Sequence, residues 1–149
     1  MSKLCYLLAF LGLCLLYIKH RKRKIEDQLI YAKLDDVANY IPSRIAALLW
    51  VAAAAFTGND AKGAWRIWRR DRRNHASPNS AQTESACAGA LGVQLAGPAY
   101  YFGEYYPKPT IGDALRPIEP QDILRANRMM YVASGFALAW GAAIRGFLA

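Results

Sequence analysis

The chain has 149 residues, 54% of them apolar and 20% charged, with a net charge of +8. That length holds one domain but not comfortably two, and the mixture, more apolar than the usual soluble range, fits apolar segments separated by charged loops. The positive balance leaves three kinds of partner: anionic lipid, nucleic acid or an anionic small molecule.

Residues 4–18 form an uncharged apolar run of 15 residues, followed by the basic cluster of residues 19–24. The run is short against the ~20 residues of an upright bilayer span. No small-x-small cleavage site follows it, and the cluster acts as a stop, so it reads as a membrane anchor with the cluster in the cytoplasm. Residues 25–40 carry apolar residues at rough helical spacing, and Pro42 is expected to break that helix. Residues 45–57 form a second, Ala-rich apolar run of 13 residues. At about 20 Å of helix it is marginal for a ~30 Å hydrocarbon core.

Asn59 or Asp60 can cap the next helix, expected over residues 61–75. It sets Trp65 and Trp68 among Arg66, Arg69, Arg70, Arg72 and Arg73. Two readings stand: an interfacial helix with snorkelling arginines, or phosphate binding. Ser77-Pro78-Asn79-Ser80 is a turn. Residues 85–97 are apolar but glycine-rich and read as a re-entrant or protein-buried hairpin. Tyr100, Tyr101, Phe102, Tyr105 and Tyr106 cluster on an expected loop, with turns at Lys108-Pro109 and Gly112-Asp113. Glu119, Pro120 and Asp122 open a last helix whose uncharged stretch, residues 129–144, is expected to cross the membrane.

Residues 19–44 hold seven basic and four acidic side chains, and residues 58–128 ten and seven, so each segment is +3. The positive-inside tendency puts both in the cytoplasm, which requires residues 45–57 to be re-entrant or interfacial. Cys5, Cys14 and Cys87 fit no metal-ligand spacing and are expected to pack as buried thiols.

Three polar groupings carry the chemistry-bearing residues. Asp35, Asp36 and Asn39 offer oxygen ligands to Mg²⁺, or else form a polar helix end beside Arg44. The string Arg70-Asp71-Arg72-Arg73-Asn74-His75-Ala76-Ser77-Pro78-Asn79, then Glu84, brings cations, an imidazole and an amide together. The third places Glu104, Lys108 and Asp113 among the tyrosines. For each, a solvated surface is the competing reading. No GK[ST] phosphate loop, HExxH or CxxC is present.

In order along the chain, Leu34-Asp35-Asp36-Val37-Ala38-Asn39-Tyr40-Ile41-Pro42-Ser43-Arg44, His75-Ala76-Ser77-Pro78-Asn79, Glu84, Ala88-Gly89-Ala90-Leu91-Gly92-Val93-Gln94-Leu95, Gly97-Pro98, Tyr100-Tyr101-Phe102-Gly103, Lys108-Pro109 and Ile111-Gly112-Asp113 resemble the adenosylcobinamide-phosphate synthase family of cobalamin biosynthesis, CobD/CbiB. The resemblance covers residues 31–134, with Ala99 standing where many members carry Asn. It implies an all-α, integral membrane helical bundle with re-entrant or interfacial helices and polar loops. Residues 31–149 would be the carboxy-terminal part of that bundle, and residues 1–30 an anchor poorly matched to the family.

The implied activity is an ATP-dependent amide ligation. It joins aminopropanol, or its phosphate, to the propionate of adenosylcobyric acid. The resemblance supplies the positions and physical chemistry the roles: Asp35 and Asp36 take Mg²⁺, with Asn39 assisting. Arg44, Arg72 and Lys108 take phosphate or propionate, and Tyr100, Tyr101 and Phe102 face the corrin. His75, Asn79 and Glu84 are the catalytic candidates, His75 as base or hydrogen-bond donor and Asn79 and Glu84 orienting the substrate. The expected setting is the bacterial inner membrane, with the polar loops in the cytoplasm. Expected partners are lipid, the corrinoid substrate, and an amino-terminal partner chain or a second copy, but no nucleic acid. The alternative is a non-catalytic membrane subunit or truncated remnant of the same family.

Overall fold

The computed structural model describes residues 29–148, and the chain divides after Ala38 into two units. The anchor expected at residues 4–18, the basic cluster, Cys5 and Cys14 lie outside the described residues. In the first unit, α1 (Leu29–Ala38) exposes Tyr31, Leu34 and Val37.

The second unit holds four helices and two short strand pairs. The helices are α2 (Tyr40–Phe56), α3 (Ala61–Asp71), α4 (Ser80–Leu91) and α5 (Gln121–Leu148). Pro42 does not end a helix. It sits in the first turn of α2, where its missing N–H is one that no carbonyl would have bonded, and the break falls at Asn39. Asp60 caps α3 as its residue type predicts, its carboxylate accepting the Gly63 N–H at 2.8 Å. α3 then stops at Asp71, four residues short of the expected His75, with Arg72 as its C-cap.

Helices α3 and α4 make the tightest contact, and glycine permits it. A Cβ on Gly89 would lie 2.4 Å from the Gly63 carbonyl oxygen, and one on Gly63 would lie 2.6 Å from the Gly89 oxygen. Around that contact Ala53 and Ala54 of α2, Ala64 of α3, Ala90 of α4, and Met129 and Ala133 of α5 share one buried cluster. The reading of residues 85–97 as protein-buried therefore holds for α4, whose Ala81, Ser85, Ala86 and Ala88 are inaccessible.

The all-α expectation is corrected between α4 and α5. Gly92 ends α4 in the left-handed region (φ 65°). An antiparallel ribbon follows, pairing β1 (Leu95–Ala96) with β4 (Thr110–Ile111) and β2 (Ala99–Tyr101) with β3 (Glu104–Tyr106). Its tip is Phe102-Gly103, both at positive φ, the geometry that a two-residue hairpin requires. The supposed tyrosine loop is thus two strands, since tyrosine suits a pleated backbone. Across the pair Tyr100 meets Tyr105 and Tyr101 meets Tyr106 edge-on, at 5.4 and 5.5 Å.

Among the described residues α5, at 28 residues, is long and apolar enough by itself to cross a membrane. Its first turn is held by ions. Arg116 donates to both oxygens of Asp122, at 2.6 and 2.8 Å, and its Nε reaches the Leu91 carbonyl at the end of α4. Arg125 adds a 2.8 Å bond to Asp122.

Adding one methyl group at the glycine contact is expected to force α3 and α4 apart. Gly89→Ala should lower unfolding stability by about 1–3 kcal/mol, the usual cost of overpacking. Gly135→Ala, on an open face of α5, should leave the thermal midpoint in detergent unchanged or slightly raised. Equal effects of the two substitutions would contradict the glycine contact.

Candidate functional site: a cavity between the ribbon and helix α4

A cavity of about 430 Å³ opens where the ribbon meets the helices. Its walls are His75, Glu84, residues 95–99, Tyr101 and Lys108. His75 arrives from the segment after α3, Glu84 from the second turn of α4, and Tyr101 and Lys108 from the two arms of the ribbon. Four residues expected to work together are therefore brought to one place by three separate segments.

The local chemistry distinguishes their roles. The Ser77 N–H donates to His75 Nδ1 at 3.0 Å. With Nδ1 occupied as an acceptor, the neutral ring carries its proton on Nε2 and offers a donor there. Lys108 donates to the Tyr101 hydroxyl at 2.7 Å, and its ammonium lies 4.3 Å from the centre of that ring. Glu84, half-buried, is the one carboxylate in the wall. Ala96 contributes a strained backbone at φ 57°, beside Gly97 at 95°, where the ribbon bends around the cavity.

The other expected site residues are not in the cavity wall. Arg44 and Asn79 bond each other at 3.0 Å, and Arg44 also reaches the Pro78 carbonyl, tying the first turn of α2 to the 77–79 turn. The Arg72 guanidinium lies over the Trp68 ring at 5.3 Å. Tyr100 is exposed, and Phe102 is fully exposed at the ribbon tip. Asp35 is exposed and Asp36 half-buried on α1, while Asn39 is the N-cap position of α2. Among the described residues no three His, Cys, Asp or Glu side chains cluster as a metal cage. Asp35 and Asp36, successive in a helix, point about 100° apart. A nucleotide-bound Mg²⁺ asks less, one or two protein carboxylates, and for that their donor chemistry suffices.

Two residues to which the sequence reading gave no role, Gln82 and Asp71, hold the segments around the cavity. Gln82 is buried and fully used. It accepts the Trp68 indole N–H at 2.9 Å and donates to the Arg72 and Pro78 carbonyls, so it fixes the segment that carries His75. Asp71, 3% exposed, accepts the Gly112 N–H at 2.7 Å and the paired N–H groups of Arg70. Arg70 continues to Asp113 at 2.7 Å, which Arg66 also binds, and Asn74 donates to the Thr110 carbonyl. These bonds fasten the ribbon to α3. The available signal was that Asp71 continues the buried series Ala64, Ile67, Trp68 of an amphipathic helix, an expensive place for an unpaired acid.

The Arg70 guanidinium holds the Asp71 carboxyl below its ordinary value near 3.8, with the Gly112 N–H adding to it and burial opposing it. Arg70 and then Arg66 do the same for Asp113. Burial pushes the half-buried Cys87 thiol up to about 11, so it is protonated and unreactive at neutral pH.

With helices, ribbon and cavity defined, comparison with known proteins identifies the class. The chain belongs to the CobD/CbiB family: the family described as CobD/Cbib protein matches residues 20–130. It is 49% identical over 130 residues to the cobalamin biosynthesis protein CobD of Citrobacter koseri, covering 87% of this chain and 40% of that one. It is 40% identical over 148 residues to CobD of Clostridium perfringens, covering 99% of this chain and 47% of the relative. It is 50% identical over 121 residues to CbiB of Salmonella typhimurium, covering 81% and 38%. The chain thus spans less than half the length of these relatives. No solved structure matches it.

A depressed carboxyl stabilises the fold above its unfolded pKa, and that contribution is lost as pH falls through the folded value. Stability should therefore be level above about pH 4 and fall on further acidification. Asp71→Asn keeps an acceptor for Gly112 but removes the charge. It should lower stability at pH 7 and flatten the acid slope in a series of thermal melts. An unchanged slope would contradict the role given to Asp71.

Proposed function

We propose that this chain supplies the carboxy-terminal, substrate-binding part of a membrane-embedded amide synthase of cobalamin biosynthesis. The step joins aminopropanol, or its phosphate, to the propionate of adenosylcobyric acid. The observation that supports this best is the convergence of His75, Glu84, Tyr101 and Lys108 on one cavity, in a chain of the CobD/CbiB family. α5 is read as the membrane span and the cavity side as cytoplasmic.

Amide formation from a carboxylate needs an activated acyl group, charge neutralisation and a proton acceptor. Bound Mg-ATP would supply the phosphoryl group that activates the propionate, with Asp35, Asp36 and Asn39 as the oxygen donors offered to the metal. The amine nitrogen then attacks the acyl carbon. A C–N bond forms, the C–O bond to phosphate breaks, and phosphate leaves with the electron pair. Glu84, the carboxylate of the cavity wall, takes the amine proton in place of the His75 base that the sequence suggested. Lys108 and the His75 Nε2–H are donors for the anionic oxygens, and the Tyr101 ring offers an apolar face to the corrin. Arg44 and Asn79 shape the turn below the cavity, and Arg72, Tyr100 and Phe102 can meet a ligand that extends beyond it.

The test is product formation from adenosylcobyric acid, aminopropanol phosphate, ATP and Mg²⁺. The purified chain is assayed alone and co-expressed with the amino-terminal remainder of Salmonella typhimurium CbiB. Turnover is expected with the added segment, and Glu84→Gln should lower it by about 100-fold. Full turnover by Glu84→Gln would overturn the assignment. A folded chain giving no product under either condition would identify the non-catalytic alternative.

A further inference from the structure

The outward face of α3 is unlike the rest of the surface. At about 100° per residue, Lys62, Trp65, Arg66 and Arg69 fall within one arc of about 100°. The opposite face, Gly63, Ala64, Ile67, Trp68 and Asp71, is buried. Arg73 follows beyond the C-cap. Among the described residues Lys62, Arg69 and Arg73 make no ion pair, whereas Arg66 and Arg70 bind Asp113. Trp65 stays 43% exposed between these cations, with the Arg69 guanidinium 5.9 Å from its ring centre.

The position of this face says what could cover it. Ala64 packs, together with Ala53 and Ala54 of α2 and Ala90 of α4, into the buried cluster that holds Met129 and Ala133, where the uncharged stretch of α5 begins. Beyond that level α5 carries exposed apolar side chains, with Leu138 at 76%, Trp140 at 50% and Phe147 at 91%. An apolar shaft with a cationic, tryptophan-bearing collar at its neck matches the order of a bilayer, hydrocarbon first and headgroups above it.

We infer that the Lys62–Trp65–Arg69 face of α3 docks on the anionic headgroups of the membrane that α5 enters. This rests on the reading of α5 as a span. The arginine and lysine stems lie along the acyl boundary with their charges among the phosphates, and Trp65 sits at the same depth. Docking would hold α3, and through Asp71 and Arg70 the ribbon and cavity, at a fixed height above the bilayer. A nucleic acid would also meet these charges, but it would not account for the apolar shaft below them.

The experiment uses the full chain reconstituted in vesicles of phosphatidylcholine, with or without phosphatidylglycerol, both brominated on the acyl chains. The Trp65 share of emission is obtained by difference from Trp65→Phe. It is expected to be quenched in the phosphatidylglycerol vesicles, and to recover in high salt. Arg69→Gln should shift the docked-to-free ratio about fivefold toward free. Four results would overturn the inference. One is unquenched Trp65 in a chain that only detergent extracts from the vesicles, which leaves the span reading intact. Another is quenching equal in both lipids and insensitive to salt. A third is salt-sensitive binding of an RNA oligonucleotide with Trp65 unquenched by lipid. Release of the chain by alkaline carbonate would instead overturn the span reading, and this inference with it.

Discussion

The site depends on one buried carboxylate. Asp71, at the end of α3, takes the Gly112 N–H and the Arg70 guanidinium together. A buried acid is tolerable only when its oxygens are satisfied, and here the two partners come from different parts of the chain. The Gly112 bond fixes the far end of the ribbon, so the arm that carries Lys108 is held to α3. Gly112 itself sits at φ 87°, and a Cβ there would lie 2.4 Å from the Val93 carbonyl oxygen, so the close approach needs glycine. The contact is one hydrogen bond between residues 41 positions apart, and it holds to α3 the ribbon that carries Lys108.

Around it the structure uses small residues where distance matters and ions where direction matters. Gly63 and Gly89 bring α3 and α4 into backbone contact. Gln82, between them, then reaches Trp68, Arg72 and Pro78 at once. The Arg116–Asp122 pair performs the same task at the start of α5, joining it to the last carbonyl of α4. The cavity is therefore framed by satisfied polar contacts, and the groups left facing it, His75, Glu84 and Lys108, are those with chemistry to offer.

Much of this was legible in the sequence where the cause is local. The Asp60 cap, the 77–80 turn and the start of α5 follow from residue types within a few positions of each other. The apolar stretches of α2 and α5 follow from composition. The early end of α3 did not show, because the arginines after Asp71 suit a helix end and a helix interior alike. The ribbon was hidden for a different reason: Phe102-Gly103 is a less common hairpin turn than Asn-Gly, and the flanking tyrosines suit an interface as well as a strand. Contacts such as Asp71–Gly112 and Gly63–Gly89 span 41 and 26 positions, and no short window of sequence contains both partners. The ordered strings named Arg44, Arg72, Asn79, Tyr100 and Phe102 on equal terms with His75, Glu84, Tyr101 and Lys108, and of these nine the last four line the cavity.

The relatives extend well beyond the matched region. The substrate-binding role of the cavity is the central claim, and hydrogen–deuterium exchange on the detergent-solubilised chain tests it most directly. Adding adenosylcobyric acid should slow exchange in two separate segments, residues 75–84 and 95–108, and Lys108→Ala should abolish both effects. Protection confined to other segments, or protection of these two that survives Lys108→Ala unchanged, would contradict the account.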